Sequence, residues 1–309
     1  MKDRTHLTGV VIPFIIFTAI WGSTWIVIRD QLGIVPAQWS VAYRFGIAAI
    51  AMAAVARWNG QRLPITREAL AAVGVIGVTQ FAANFNSVYI AEHFITSGVV
   101  ATVFALLLIP NTLLAWTWLG QKPTIRFAIG GAVAAAGIAL LFVHELRAST
   151  VSASGIATGL GFTMLGLLGA SIANVFQARE RVKQLPLYAL LAWSMGIGAG
   201  CDALLALAIA GPPVVDPRPG YWLGLVYLAL AASVLCFSLY FPVVRKIGPG
   251  KAAYSSVLVP IIAMAFSTSI EGYRWSPLAI GGAVLALGGM LIALIGRRRP
   301  QLVAAPDAA

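Results

Sequence analysis

The chain has 309 residues, 60% of them hydrophobic and 10% charged, with a formal net charge of +11 and a mean hydropathy of +0.88. Soluble domains carry roughly 45–50% apolar and about 25% charged residues, so this composition excludes a water-soluble globular domain, a disordered chain and a disulfide scaffold. Divided into runs of the ~20 apolar residues that one membrane-crossing helix requires, the length accommodates about ten spans.

Apolar stretches bounded by charge, proline or glycine place those spans in order along the chain. The first five are Thr8–Ile28, Ala37–Ala56, Glu68–Ala91, Thr96–Leu119 and Thr124–Val143. The second five are Gly155–Ala178, Leu187–Ala210, Tyr221–Val244, Lys251–Ile270 and Ser276–Gly296. The connectors are short and carry turn chemistry, as at Asn59-Gly60, Gly211-Pro212-Pro213 and Gly248-Pro249-Gly250. Residues 301–309 read as a disordered tail. The first apolar run exceeds the 7–15 residues of a signal-peptide core, so it is expected to remain as a helix. Cys201 and Cys236 are isolated, which points to neither a metal site nor a disulfide.

Lysine and arginine set the expected orientation. One side collects Lys2, Arg4, Arg57, Arg62, Arg67, Lys122, Arg126, Arg179, Arg181, Lys183, Arg245, Lys246, Lys251 and Arg297 to Arg299. The other side has Arg29, Arg147, Arg218 and Arg274, and Arg44 falls inside a span. By the positive-inside rule both termini are cytoplasmic and the chain is a multi-pass protein of a bacterial inner membrane.

The chain also repeats itself at a spacing of about 150 residues. Gly130-Gly131-Ala132-Val133 returns as Gly281-Gly282-Ala283-Val284, Pro110 matches Pro260, Gln121 matches Glu271, and Pro36…Gly46-Ile47 matches Pro186…Gly196-Ile197. Five spans is an odd number, so the second copy enters the membrane upside down. The expected architecture is all-α, with ten helices in two inverted five-helix repeats around a central cavity. The repeats run 1–150 and 151–300, and inverted repeats of this kind hold substrate near the midplane of secondary transporters.

Trp21-Gly22-Ser23-Thr24, Arg44-Phe45, the Pro110…Leu119-Gly120 stretch and Pro260…Glu271 followed by Gly281-Gly282 resemble the drug/metabolite transporter superfamily and its ten-helix EamA family. Where that family usually carries an acid in the first half, this chain has Gln121. The resemblance implies a five-plus-five helical basket, with YddG-type exporters of aromatic and other amino acids as the nearest functional model. It implies no cofactor.

The candidate substrate-binding residues are Trp21, Arg44, Gln80, Asn84, Asn174 and Tyr254. Arg44 is a charge inside the bilayer, where it costs about 2.5–3.5 kcal/mol. It serves either as a fork for a substrate carboxylate or as a tie to a neighbouring helix. Gln80, Asn84 and Ser87 share one α-helical face, with Asn86 pointing elsewhere. Ser171, Asn174 and Gln177 recur at steps of three. These amides suit a polar or zwitterionic solute, or bond helix to helix. Asp202 is the acid well inside a span and the candidate for coupling, the alternatives being a local cap near Gly198 and Gly200 or a pair with Arg44. Pro110 and Pro260 are candidate gate hinges. The glycine runs read as close helix packing.

The partners implied are a small-molecule substrate and the lipid bilayer, with no nucleic acid, and a monomer suffices. A carrier of nucleosides, sugar nucleotides or drug-like solutes is the alternative within transport. An integral membrane enzyme is the alternative from another class, against which stands the lack of a histidine–acid cluster or nucleophile constellation. No P-loop is present to power a nucleotide-driven pump.

Overall fold

The structure, a computed structural model, describes residues 7–148, 151–247 and 255–295. Eight helices are long and apolar enough to cross a membrane: α1 Gly9–Asp30, α2 Ala37–Trp58, α3 Arg67–Ala91, α4 Ser97–Leu119, α5 Ile125–Ala148, α6 Ala153–Gln177, α7 Leu187–Ala210 and α8 Pro219–Tyr240. Two shorter apolar helices follow, α9 Ser255–Ile270 and α10 Pro277–Ile295. No strand occurs among the described residues. Large apolar side chains such as Ile50, Leu204, Leu223 and Val284 stand exposed on the outside, as a lipid-facing surface requires.

Most helix ends lie within a few residues of the expected ones. The clearest difference is α5, which runs to Ala148 where Val143 was expected. Its last turn carries His144 and Glu145, polar residues that read as loop. Both are buried, and His144 Nδ1 meets the Ser276 hydroxyl at 2.9 Å, so the helix continues beneath a polar cover. At the end of α4, Gly120 adopts a left-handed φ of 69° and its N–H bonds back into the helix, a C-cap that only glycine takes without strain.

The main helix contacts recur when each helix is exchanged for the one five places away. Helix α2 packs on α7 and α5 on α10, while α3 on α6 is answered by α8 on α1. Likewise α3 on α7 is answered by α8 on α2, and α4 on α6 by α9 on α1. The ten helices therefore form two inverted five-helix repeats.

Glycine makes the α5–α10 contact possible. A Cβ added to Gly130 or Gly137 would land on the backbone of α10, and one added to Gly289 on the backbone of α5. Gly282 likewise sits against the Gly137 carbonyl. Gly281 and Gly288 meet nothing, and Gly131 only the side chain of Ile109. The contacts thus equate Gly130 and Gly137 with Gly282 and Gly289, one position on from the sequence match.

Both repeats also contain a π-helical stretch in the same helix. It covers Gly77–Asn84 in α3 and Tyr227–Leu235 in α8. Such wide turns are rare and cluster at functional sites. Their neighbours leave room for them: a side chain at Gly169 or Gly198 would collide with α3 at Thr79 or Phe81.

Candidate functional site

A cavity of about 230 Å3 lies between the repeats. Its walls reach from Ile28 and Val88 to Asn174, Tyr240 and Ser255. These last three sit where α6, α8 and α9 approach the end that carries Arg57, Arg62, Arg67, Lys122 and Arg179, here called the basic end. At the opposite end a buried polar layer closes the space. Tyr89 Oη donates to Gln31 Oε1 at 2.7 Å, Gln31 Nε2 donates to the Tyr221 carbonyl at 3.4 Å, and the Tyr221 hydroxyl pairs with Ser40 at 2.9 Å.

The expected substrate-binding residues Trp21, Arg44, Gln80, Asn84 and Asn174 all line this cavity. Tyr254 lies outside the described residues, as does the 301–309 tail. Helix α1 brings Trp21, whose Nε1–H donates to the Ala232 carbonyl in the π stretch of α8 at 3.0 Å, and whose ring packs on Phe237 and Tyr240. Gln80 and Asn84 come from the π stretch of α3. The wider turn changes the face read from α-helical spacing: Gln80, Asn84, Phe85 and Val88 face the cavity, whereas Ser87 packs against Gly166 of α6. Of the three polar residues of α6, Asn174 reaches the cavity; Ser171 is buried outside the lining.

Arg44 is 2% exposed. Its guanidinium carbon lies 4.4 Å from the Phe85 ring centroid and 5.1 Å from that of Phe45. Nε and Nη2 each reach Ser233 Oγ at 3.4 Å, and Nη1 has no hydrogen-bond partner. Among the described residues no carboxylate pairs with it. Stacking of a cation on aromatic faces is worth about 0.5–2 kcal/mol, which only partly offsets the cost of a charge in the bilayer.

Among the described residues, three further buried polar atoms of cavity-lining residues lack partners: Trp25 Nε1, Asn84 Oδ1 and Asn111 Oδ1. Ser233 and Asn111 escaped the sequence reading. Asn111 had a signal, since it follows the singled-out Pro110; Ser233 had none, because its proximity to Arg44 spans 189 positions.

Asp202 belongs elsewhere. It is fully buried on α7, outside the cavity lining, where Oδ1 accepts from Asn86 Nδ2 at 2.6 Å. Helix α7 is unbroken past Gly198 and Gly200, so there is no local end for Asp202 to cap, and Arg44 is not its partner. Asn86→Ala, which orphans this buried carboxyl group, is expected to lower stability by about 1–3 kcal/mol. The apparent KM of transport should stay unchanged; a shifted KM would connect this pair to the substrate.

Pro260 lines the cavity and Pro110 does not. Pro110 follows a 3-10 turn at Ala105–Leu107, where its missing N–H leaves the carbonyl of Leu106 without the usual donor. Pro260 lies inside α9, which runs unbroken from Ser255 to Ile270, so the two prolines sit in corresponding helices and Pro110 alone adjoins a 3-10 turn.

The EamA-like transporter family model matches the chain twice, over residues 9–143 and 157–295. The chain belongs to the EamA-like transporter family. It is a multi-pass membrane transporter and not an enzyme. An uncharacterized inner membrane transporter of Escherichia coli, YedA, is 29% identical over 274 residues, covering 87% of this chain and 86% of that one. A probable terminal-alkyne amino-acid exporter of Streptantibioticus cattleyicolor is 25% identical, covering 95% and 97%. A probable amino-acid metabolite efflux pump of Salmonella typhimurium is 22% identical, covering 92% and 94%. A solved crystal structure superposes with a TM-score of 0.66 at 20% identity, over 94% of this chain and 99% of the other, which shows a shared fold.

Proposed function

We propose that this member of the EamA-like family exports small amino acids, aromatic ones among them, across the bacterial inner membrane. The observation that carries the proposal is the set of unmatched polar atoms belonging to residues that line the cavity. Arg44 Nη1 and Trp25 Nε1 are donors in want of an acceptor, while Asn84 Oδ1 and Asn111 Oδ1 are acceptors in want of a donor. A zwitterion supplies both halves: its carboxylate meets the guanidinium and indole N–H, and its ammonium meets the amide oxygens. Gln80 and Asn174 complete the polar wall, and Trp21, Phe85, Phe104 and Phe237 offer an apolar surface to a side chain.

The size of the cavity supports a single small metabolite. Ligand pockets for drug-sized molecules run ~300–1,000 Å3, and this one is about 230 Å3. A sugar nucleotide needs more room and several bases for its phosphates, whereas one guanidinium is available here. The two amino-acid exporters among the relatives point the same way.

Transport proceeds by alternating access, with residues 1–150 rocking against 151–300 about Pro110 and Pro260. The cavity as described reaches the basic end and is shut at the other. With both termini cytoplasmic, this is the arrangement that loads substrate from the cell interior, and one copy of the chain suffices. The test is counterflow of labelled aromatic and aliphatic amino acids into liposomes containing the purified protein. Saturable exchange of amino acids is expected. Exchange of none of them by folded protein would overturn the substrate and redirect the panel to nucleosides and sugar nucleotides.

A further inference from the structure

At the shut end of the cavity, beyond the residues that line it, three carboxyl groups converge from three parts of the fold. Glu92 directly follows α3 and is fully buried, and neither of its side-chain oxygens has a hydrogen-bond partner among the described residues. Glu271 follows α9; its oxygens accept from the Ser97 N–H at 3.4 Å and the Ser97 hydroxyl at 2.8 Å, and from the Ser267 hydroxyl. Glu145 of α5 stands beside Glu271 and is also buried.

Among the described residues, the guanidinium paired with this group is that of Arg29 in α1, whose Nε is 3.7 Å from Glu271 Oε1 and whose side chain is 39% exposed. The neighbouring His93 is held neutral, its imidazole pushed down by burial and by Arg29. The phenols of Tyr89 and Tyr273 lie near Glu92 and Glu145 respectively. Three carboxylates against one partly solvated cation cannot all be ionised in a buried site.

We propose that Glu92 and Glu271 form a proton-binding latch that holds the cavity shut at this end, and that the pH on that side controls its opening. The inference rests on the alternating-access reading. The Ser97–Glu271 hydrogen bonds join the start of α4 in one repeat to the end of α9 in the other, with Arg29 of α1 on Glu271 and Glu92 buried beyond the end of α3, so separation of the repeats at this end breaks the latch and admits water. Burial, and then the nearby Glu271, push the Glu92 carboxyl well above the usual carboxylate range, with Arg29 opposing. Once solvated in the open arrangement, the same group returns to an ordinary value. The shut arrangement therefore binds the extra proton. It gains stability as the pH falls and loses it as the pH rises through the raised value.

Infrared spectroscopy of the purified protein in lipid nanodiscs tests this directly. At neutral pH the parent should show the C=O stretch of a protonated buried carboxyl group that titrates away at higher pH. Glu92→Gln should lose the Glu92 component of that band, leaving what the buried Glu145 and Asp202 contribute, and Glu92→Asp should keep that component. In sorted proteoliposomes, counterflow of labelled phenylalanine should slow severalfold as the pH on the latch side falls, and Glu92→Gln should flatten that profile. A parent without the band, a Gln variant that keeps it undiminished, or an unchanged pH profile in that variant overturns the latch. If the parent carries no phenylalanine at all, the substrate reading fails and the infrared result alone decides the latch.

Discussion

Arg44→Ala abolishes measurable saturable amino-acid exchange and leaves the fold at least as stable as the parent. The two halves of this expectation come from the same geometry. The guanidinium is 2% exposed and has the Ser233 hydroxyl, the Tyr89 phenol and two phenyl rings around it. Its removal relieves an insertion cost of about 2.5–3.5 kcal/mol and forfeits about 0.5–2 kcal/mol of cation–π stacking, so stability should hold or rise. A substrate carboxylate loses a charge-assisted hydrogen bond worth ~1.5–3 kcal/mol, roughly 10- to 150-fold in kcat/KM. A second bond of the fork doubles the loss in energy. Arg44→Lys should fall between the two, because a point charge remains but the planar fork does not. Melting temperature and counterflow measured on the same preparations check both halves. A variant that transports normally would reduce Arg44 to a tie between α2 and α8.

Gly137→Val should be the most damaging single substitution to the assembled basket. The added carbon falls against backbone atoms of Ala286 and Gly282 on α10, which cannot swing aside as a flexible side chain does. Overpacking of this kind costs about 3 kcal/mol, and more where backbone must move. The change also separates two helices whose association in lipid rests on close van der Waals contact. Gly281→Val, on the partner helix α10 but facing open space, is the matched control and should change little. Thermal unfolding in detergent separates the outcomes: a large drop for Gly137→Val alone is expected, and equal effects would contradict the one-position shift in the repeat.

These two residues also show what the sequence carries and what it does not. The spans and their inverted duplication are legible because lipid imposes runs of ~20 apolar residues and because an odd repeat must invert. Arg44 is legible for the same reason, as a cation where none is comfortable. The glycine register is less so: Gly130-Gly131 matches Gly281-Gly282 as letters, but only one glycine of each pair touches the partner backbone. The π stretches are invisible to hydropathy, since a wider turn uses the same apolar residues, yet they decide that Gln80 and Asn84 face the cavity while Ser87 does not. Glu92 reads as an ordinary charge at a span end. Its complete burial comes from tertiary packing, and no local pattern encodes that.

The central claim is that the cavity recognises both charged ends of an amino acid, and competition during counterflow tests it most directly. Phenylalanine, phenylalaninamide and N-acetylphenylalanine share one side chain; the amide lacks the carboxylate and the acetyl derivative lacks the ammonium group. The account predicts that the free amino acid competes and that each blocked derivative competes at least tenfold more weakly, with the amide unaffected by Arg44→Ala. Equal competition by all three, in parent and variant alike, would contradict it.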